Sequence, residues 1–236
     1  IRNESITNMK DIFGIDGCRF GWVVAEEKTK GHLSIQLIES LNYLESVISK
    51  KAIAGIDIPL AIHEKGFRMA DAEGRVLLKS RASTIFSAPA KETLLSDNYN
   101  DACAINESIC GKKISKQSWF LFSKIKEART IFCQAHKKIK LYEVHPELSF
   151  MAMNDMRVIE LGKKTDEGFK MRHKLVKKLF SKFDFEQTRA NFKRCDVADD
   201  DILDAIAVLW STQKIVANIA SYVPKKPETP LSKIYY

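Results

Sequence analysis

Three short apolar runs crowd into the first 38 residues, and their spacing leaves little freedom in what can be built from them. Ile12 to Asp16 is closed by Gly17, Gly21 to Glu26 centres on Trp22, Val23 and Val24, and Leu33 to Ile38 alternates Leu33, Ile35 and Leu37 against Ser34, Gln36 and Ile38. Runs of this length, separated by glycine-bearing turns, favour antiparallel strands. The first two read as a hairpin and the third as a strand added after a Lys-Gly turn. Leu41, Leu44, Val47 and Ile48 then recur at helical spacing, and Ala52 to Ile58 is a β-branched run broken by Pro59. The order so far is β-β-β-α-β.

From Lys65 to Lys138 the pattern is mostly helical, with a loop at Ser83 to Pro89 and a polar turn at Gly111 to Ser115, which reads as an insertion. Ile139 to Val144 returns to strand character and ends at His145 and Pro146. Helical spacing resumes over Phe169 to Phe183, and Ile202 to Val216 is the last strong helix. Val223 to Pro230, with three prolines, reads as an exposed tail, and Ile234 to Tyr236 as a short edge strand. A chain of 236 residues suits one large domain carrying an insertion, here 9–236 with 65–138 inside it. Met9 directly precedes the first strand, so the eight residues before it read as a dispensable extension.

Composition narrows the function classes. With 45% hydrophobic residues the chain is not a disordered one, and five scattered cysteines without a C-x-x-C pair suggest neither a disulfide framework nor a zinc site. No run approaches the roughly 20 apolar residues that span a bilayer, and Ile1 to Asp11 has no signal-peptide core, so a cytoplasmic protein with no membrane partner is expected. The net charge of +8 weakly favours an anionic partner.

The sharper clue is carboxylates in apolar company. Asp16 ends Ile12-Phe13-Gly14-Ile15, Asp57 sits inside Ile53 to Leu60, and Asp204 lies among the core-forming residues of Ile202 to Trp210. A buried carboxylate without a partner costs several kcal/mol or takes up a proton. For any one of them, capping of a turn is the commoner explanation. In Asp199-Asp200-Asp201 one acid is expected to cap the helix, and Asp200 or Asp201 shares a helical face with Asp204. Alternation over Leu141 to His145 puts Leu141, Glu143 and His145 on one face, which adds Glu143 as a candidate. Clustered Asp and Glu without Cys or His pairs point to Mg²⁺ or Mn²⁺, and two such ions can clamp a phosphodiester.

These motifs carry a resemblance. Gly14-Ile15-Asp16-Gly17-Cys18-Arg19 with Gly21-Trp22, Ile56-Asp57-Ile58-Pro59, Arg81 to Pro89, Ser115 to Glu127, Tyr142 to Phe150 and Asp200 to Ala207 resemble the domain-of-unknown-function family 429, whose members are expected to be RNase H-like nucleases. The resemblance implies an α/β fold on a mixed five-stranded sheet, three antiparallel strands then parallel ones, flanked by helices. It also implies a metal-dependent nuclease acting on DNA or RNA by a two-metal mechanism. Asp16 would bridge two ions, Asp57 and Asp204 would each hold one, and Glu143, Asp200 or Asp201 would complete a shell.

Among the basic residues, Arg81, Lys124, Lys163 and Arg172 are the candidate phosphate contacts, with Arg75 beside Arg81. Lys91 stands where the family commonly has arginine, and Phe20 where it has a smaller residue that leaves Asp16 more open. Trp119, Phe120 and Phe122 have the spacing of core residues more than of a base-stacking surface. His145 is placed for a proton shuttle or for a structural hydrogen bond. Two other classes stay open: a non-catalytic nucleic-acid or ligand-binding protein on this fold, and a phosphotransferase of the actin and sugar-kinase type, whose phosphate loop also follows a strand ending in Asp-Gly.

Overall fold

A computed structural model describes residues 11–47, 51–133, 138–229 and 231–236. The expectations for the first ten residues, for Ile48 and for Pro230 lie outside it.

The three opening runs form a meander of β1 (Asp11–Gly17), β2 (Trp22–Thr29) and β3 (His32–Ile38), paired antiparallel with Ile15 opposite Val24 and Val24 opposite Gln36. Helix α1 (Leu41–Val47) returns the chain to β4 (Ala52–Ile56), which lies parallel to β1 with Ile56 beside Ile15. The chain then runs through α2 (Met69–Leu78), two 3-10 turns at Lys79–Thr84 and Glu92–Leu95, α3 (Tyr99–Cys110), α4 (Lys116–Phe120) and α5 (Phe122–Phe132). β5 (Ile139–Glu143) adds in parallel to β4, with Glu143 beside Ile56, and completes the five-stranded order β3-β2-β1-β4-β5. This is the mixed α/β sheet expected from the sequence, and helices cover both faces.

Strand alternation sorts the core into two layers. Phe13, Ile15, Ala54, Ile56 and Leu141 face α3 and α5 and pack with Ala102, Phe122, Ile125 and Ile131. The opposite face belongs to α9 (Asp199–Val216), whose residues Ile202 to Leu209 are all buried. That helix can come so close because β1 and β4 present glycines to it. A Cβ on Gly14 would stand 2.1 Å from the Leu209 nitrogen and 2.3 Å from the Ala205 oxygen, and one on Gly55 would stand 2.2 Å from Thr212 Oγ1. At Gly14 the backbones therefore meet with no side chain between them, while Gly55 makes room for the side chains of Thr212 and Val208.

Three parts differ from expectation. Pro146–Met153, where the sequence pattern predicts no element, is helix α6, with Pro146 in its first turn, where the missing N–H is not needed. Helices α7 (Asp166–Leu179) and α8 (Phe185–Arg189) follow. Val223 is not in an exposed tail. It is buried beside Leu78, Ile85 and Leu148 and forms β6 (Tyr222–Val223). β7 (Ile234–Tyr235) pairs with β6 and touches the main sheet through a bridge from Tyr235 to Val144, so it is not a full edge strand of that sheet. Among the described residues no helix is long and apolar enough to cross a membrane.

Candidate functional site

β1 and β4 run side by side with Ile15 level with Ile56, so the next residue of each, Asp16 and Asp57, leaves the sheet at the same carboxyl edge. In open α/β sheets that edge is where ligands bind. Asp16 falls on the same side as Gly14, the side α9 covers, and α9 brings Asp204 to it. Asp204 and Asp57 are the strongest negative neighbours of Asp16. Asp16 is 5% exposed and Asp204 2%, while Asp57 is partly buried.

Lys163, from the connection between α6 and α7, reaches into this group. Its ammonium donates to Asp204 Oδ2 at 2.6 Å and lies 3.1 Å from Asp200 Oδ2. Burial works against its charge, but Asp204, Asp16 and Asp200 outweigh that and raise its pKa. One ammonium does not balance the acids. Burial, then the charges of Asp204 and Asp57, push Asp16 well above the usual carboxylate range. Burial brings Asp57 up to about 7 even with Lys163 opposing, and does the same to Asp204. Asp204 Oδ1 is buried without a hydrogen-bond partner among the described residues.

The other acids are occupied. Asp201 lines the cleft but accepts from the Ala198 N–H at 2.8 Å, so it is the helix cap, and Asp200 is the acid that shares Lys163 with Asp204. Asp199 pairs with Arg189 and Arg194. Glu143 follows Leu141 to the side of the sheet away from α9. Both its oxygens are gripped by Arg68, at 2.7 and 2.8 Å, and the Leu60 N–H adds a third bond at 2.8 Å. Arg68 also binds Asp71, whose second oxygen accepts from the Ala88 N–H at 3.0 Å. Sequence reasoning passed over Arg68. An arginine three positions before an aspartate carries no mark that separates it from the other basic residues of the insertion.

Two of the expected phosphate contacts are bonded to other partners. Arg172 is 1% exposed, and its guanidinium makes two bonds of 2.7 and 2.8 Å to buried Glu147. Lys124 donates to the Gly21 carbonyl at 2.8 Å and lies over the Trp22 ring, outside the cleft. Arg81 approaches the same Glu147 at 3.5 Å, and Lys91 pairs with Glu64. Only Lys163 of the four candidates stands among the acids. Phe20 is half-exposed and does not line the cleft, and Phe122 is core, packed on Trp119. His145 lines the cleft with Nε2 3.3 Å from the Thr84 carbonyl, and burial lowers its pKa, which keeps it neutral at pH 7.

A family model described as a protein of unknown function, DUF429, matches residues 14–229. The chain belongs to the DUF429 family. No curated protein and no solved structure matches it. In this DUF429 chain Asp16, Asp57 and Asp204 offer oxygen donors crowded with negative charge, one of them buried with no hydrogen-bond partner among the described residues. Among the described residues no group of three or more acid, His or Cys side chains is arranged to hold a metal ion as it stands. The positive charge among the acids belongs to Lys163.

Proposed function

We propose that this DUF429 protein is a Mg²⁺- or Mn²⁺-dependent hydrolase that cleaves phosphodiester bonds of nucleic acid at the Asp16–Asp57–Asp204 cleft. The observation that carries the reading is convergence. Acids from positions 16, 57 and 204 meet at the carboxyl edge of two parallel strands, with a combined charge that a single lysine leaves uncompensated. Clustered carboxylates with raised pKa values in a cleft favour function over structure.

Asp16, Asp57 and Asp204 are the residues that would hold the ions of a two-metal reaction, with Asp16 common to both. Bound cations would supply positive charge against the charge that develops on phosphate oxygens. The chain's own residues do the rest. Cations bind the deprotonated carboxylates, and the pKa values of Asp16, Asp57 and Asp204 are raised, so cation uptake releases protons. Lys163, on a flexible stem, is free to exchange Asp204 for a phosphate oxygen. In this reading Glu143 positions Arg68, and Asp201 positions the Ala198 N–H. The five cysteines, all free thiols, accord with a cytoplasmic location.

The test uses labelled single-stranded DNA and RNA with Mg²⁺ or Mn²⁺, together with calorimetric titration of Mn²⁺. Wild-type protein is expected to cleave and to bind Mn²⁺, and Asp16→Asn and Asp204→Asn to lose both while keeping a cooperative melt. Cleavage that survives either substitution, or a wild-type protein that binds no Mn²⁺, removes the reading.

A further inference from the structure

A second cavity adjoins the acidic cleft and has the opposite charge. Both count Ile85 to Ala88 among their lining residues, but where the cleft has Asp16, Asp57, Glu143 and Asp201, the second cavity has Arg75, Lys112 and Lys113. No carboxylate lines it among the described residues. Its volume is about 310 Å³, at the lower end of the roughly 300 to 1,000 Å³ of small-molecule sites.

The three cations are weakly engaged. Arg75 bonds neutral oxygens, the Ile85 carbonyl at 2.7 and 3.0 Å and Ser87 Oγ at 3.0 Å, and meets no carboxylate among the described residues. Lys112 is exposed, with its ammonium 5.3 Å from the centre of the Phe67 ring. Lys113 has exposed Glu107 at 3.9 Å, and solvent-exposed pairs of this kind contribute little. Two aromatic rings line the same cavity, Phe67 at 49% and Phe86 at 37% exposure, so much of their apolar surface is left to water. Ser83 and Gln117 add an exposed hydroxyl and an exposed amide.

Cations by themselves select any anion, and exposed rings select any flat apolar group. The combination selects a molecule that has both a π-face and a negative charge, with hydroxyls for the polar side chains between. We infer that this cavity binds one nucleotide unit, its base against the phenylalanine rings and its phosphate toward Arg75, Lys112 and Lys113. Stacking on phenylalanine is open to every base, so the site is tolerant of base identity. The inference stands apart from the hydrolase reading: it places the phosphate among cations, uses none of Asp16, Asp57 and Asp204, and involves no metal ion.

The test is calorimetric titration of the full chain in EDTA with thymidine 5′-monophosphate, thymidine and ribose 5-phosphate. The monophosphate is expected to bind with a Kd below about 1 mM, and the fragments lacking phosphate or base at least about tenfold more weakly. A monophosphate that fails to bind, or binds no better than a fragment, overturns the inference and leaves the hydrolase reading standing. Phe67→Ala with Phe86→Ala should weaken binding about tenfold, and Lys112→Gln with Lys113→Gln about fivefold. All four side chains are exposed, so both double variants are expected to melt as the wild type does. Unchanged affinity in the first overturns the base placement, and in the second the phosphate placement. In methyl NMR spectra the bound monophosphate should shift Ile114, which lines this cavity and not the cleft, and spare Ile58, which lines the cleft and not this cavity. A shift of Ile58 alone overturns the inference. A six-residue thymidylate strand separates the two sources of such a unit: a gain over the monophosphate beyond the statistical factor of about six identifies a strand, a smaller one a free nucleotide, and either supports the site.

Discussion

Replacing Lys163 with methionine removes the cation that sits among the acids while keeping most of the side chain's bulk. The ammonium is 2.6 Å from Asp204 and 3.1 Å from Asp200, and its side chain is about a third exposed. A unit charge about 4 Å away is worth about 4 kcal/mol at an effective dielectric of 20, and a bound cation no longer has to displace or repel it. Solvent and rearrangement reduce that figure. A tenfold gain in Mn²⁺ affinity, about 1.4 kcal/mol, is the conservative expectation, read by titration calorimetry at pH 8. Without Mn²⁺ the variant should be destabilised, because Asp204 loses its partner. Breaking a buried pair costs about 3–5 kcal/mol, and partial exposure of the lysine puts this one at or below the low end. The loss should shrink in urea melts as pH falls from 8 to 6, since Asp204 then takes up a proton instead of standing charged and alone. Unchanged or weaker Mn²⁺ binding by Lys163→Met would refute the reasoning, because it would mean that lysine and metal do not compete for the same carboxylates.

Three further outcomes follow from the contacts. Asp204 and Asp57 have folded pKa values of about 7 against an ordinary 3.8, so the folded protein binds more protons than the unfolded chain between those values and loses stability as pH rises through that window. In metal-free urea melts the wild-type protein should therefore gain about 1.4 kcal/mol from each group, about 2–3 kcal/mol from the two, between pH 8 and pH 6, and saturating Mn²⁺ should abolish that gain. Arg172→Ala leaves Glu147 buried without its bidentate partner and should cost about 3–5 kcal/mol in denaturant melts, with Mn²⁺ affinity retained in the folded fraction. Asp201→Ala removes the cap on the Ala198 N–H and should cost about 1 kcal/mol, again with little change in Mn²⁺ affinity.

What the sequence made legible was local in origin. Phe13, Ile15, Ala54 and Ile56 alternate with small or acidic residues at period two, so strands and faces can be read from neighbours alone. Asp16, Asp57 and Asp204 stand out because each interrupts an apolar run. Helix α6 escaped for the opposite reason: Leu148 to Met151 are all buried, so the segment has no polar face and no period to detect. The pairs Arg68 with Glu143 and Arg172 with Glu147 join residues 75 and 25 positions apart. Nothing nearby in the chain says which arginine is interior, and a basic residue matching a family motif looked the same whether it faced a ligand or a buried carboxylate. The choice between Asp200 and Asp201 was likewise undecidable until the approach of Lys163 fixed which acid points where.

The glycine contacts beneath α9 carry one more consequence. Because main chain rests on main chain at Gly14, the spacing between the helix acid and the strand acids is set there by atoms that every amino acid shares. Mutations that swap one aliphatic group for another elsewhere in the interior can accumulate without shifting that spacing, whereas a single methyl at position 14 would pry it apart. Position 14 thus tolerates no side chain at all, although the residue there carries no functional group.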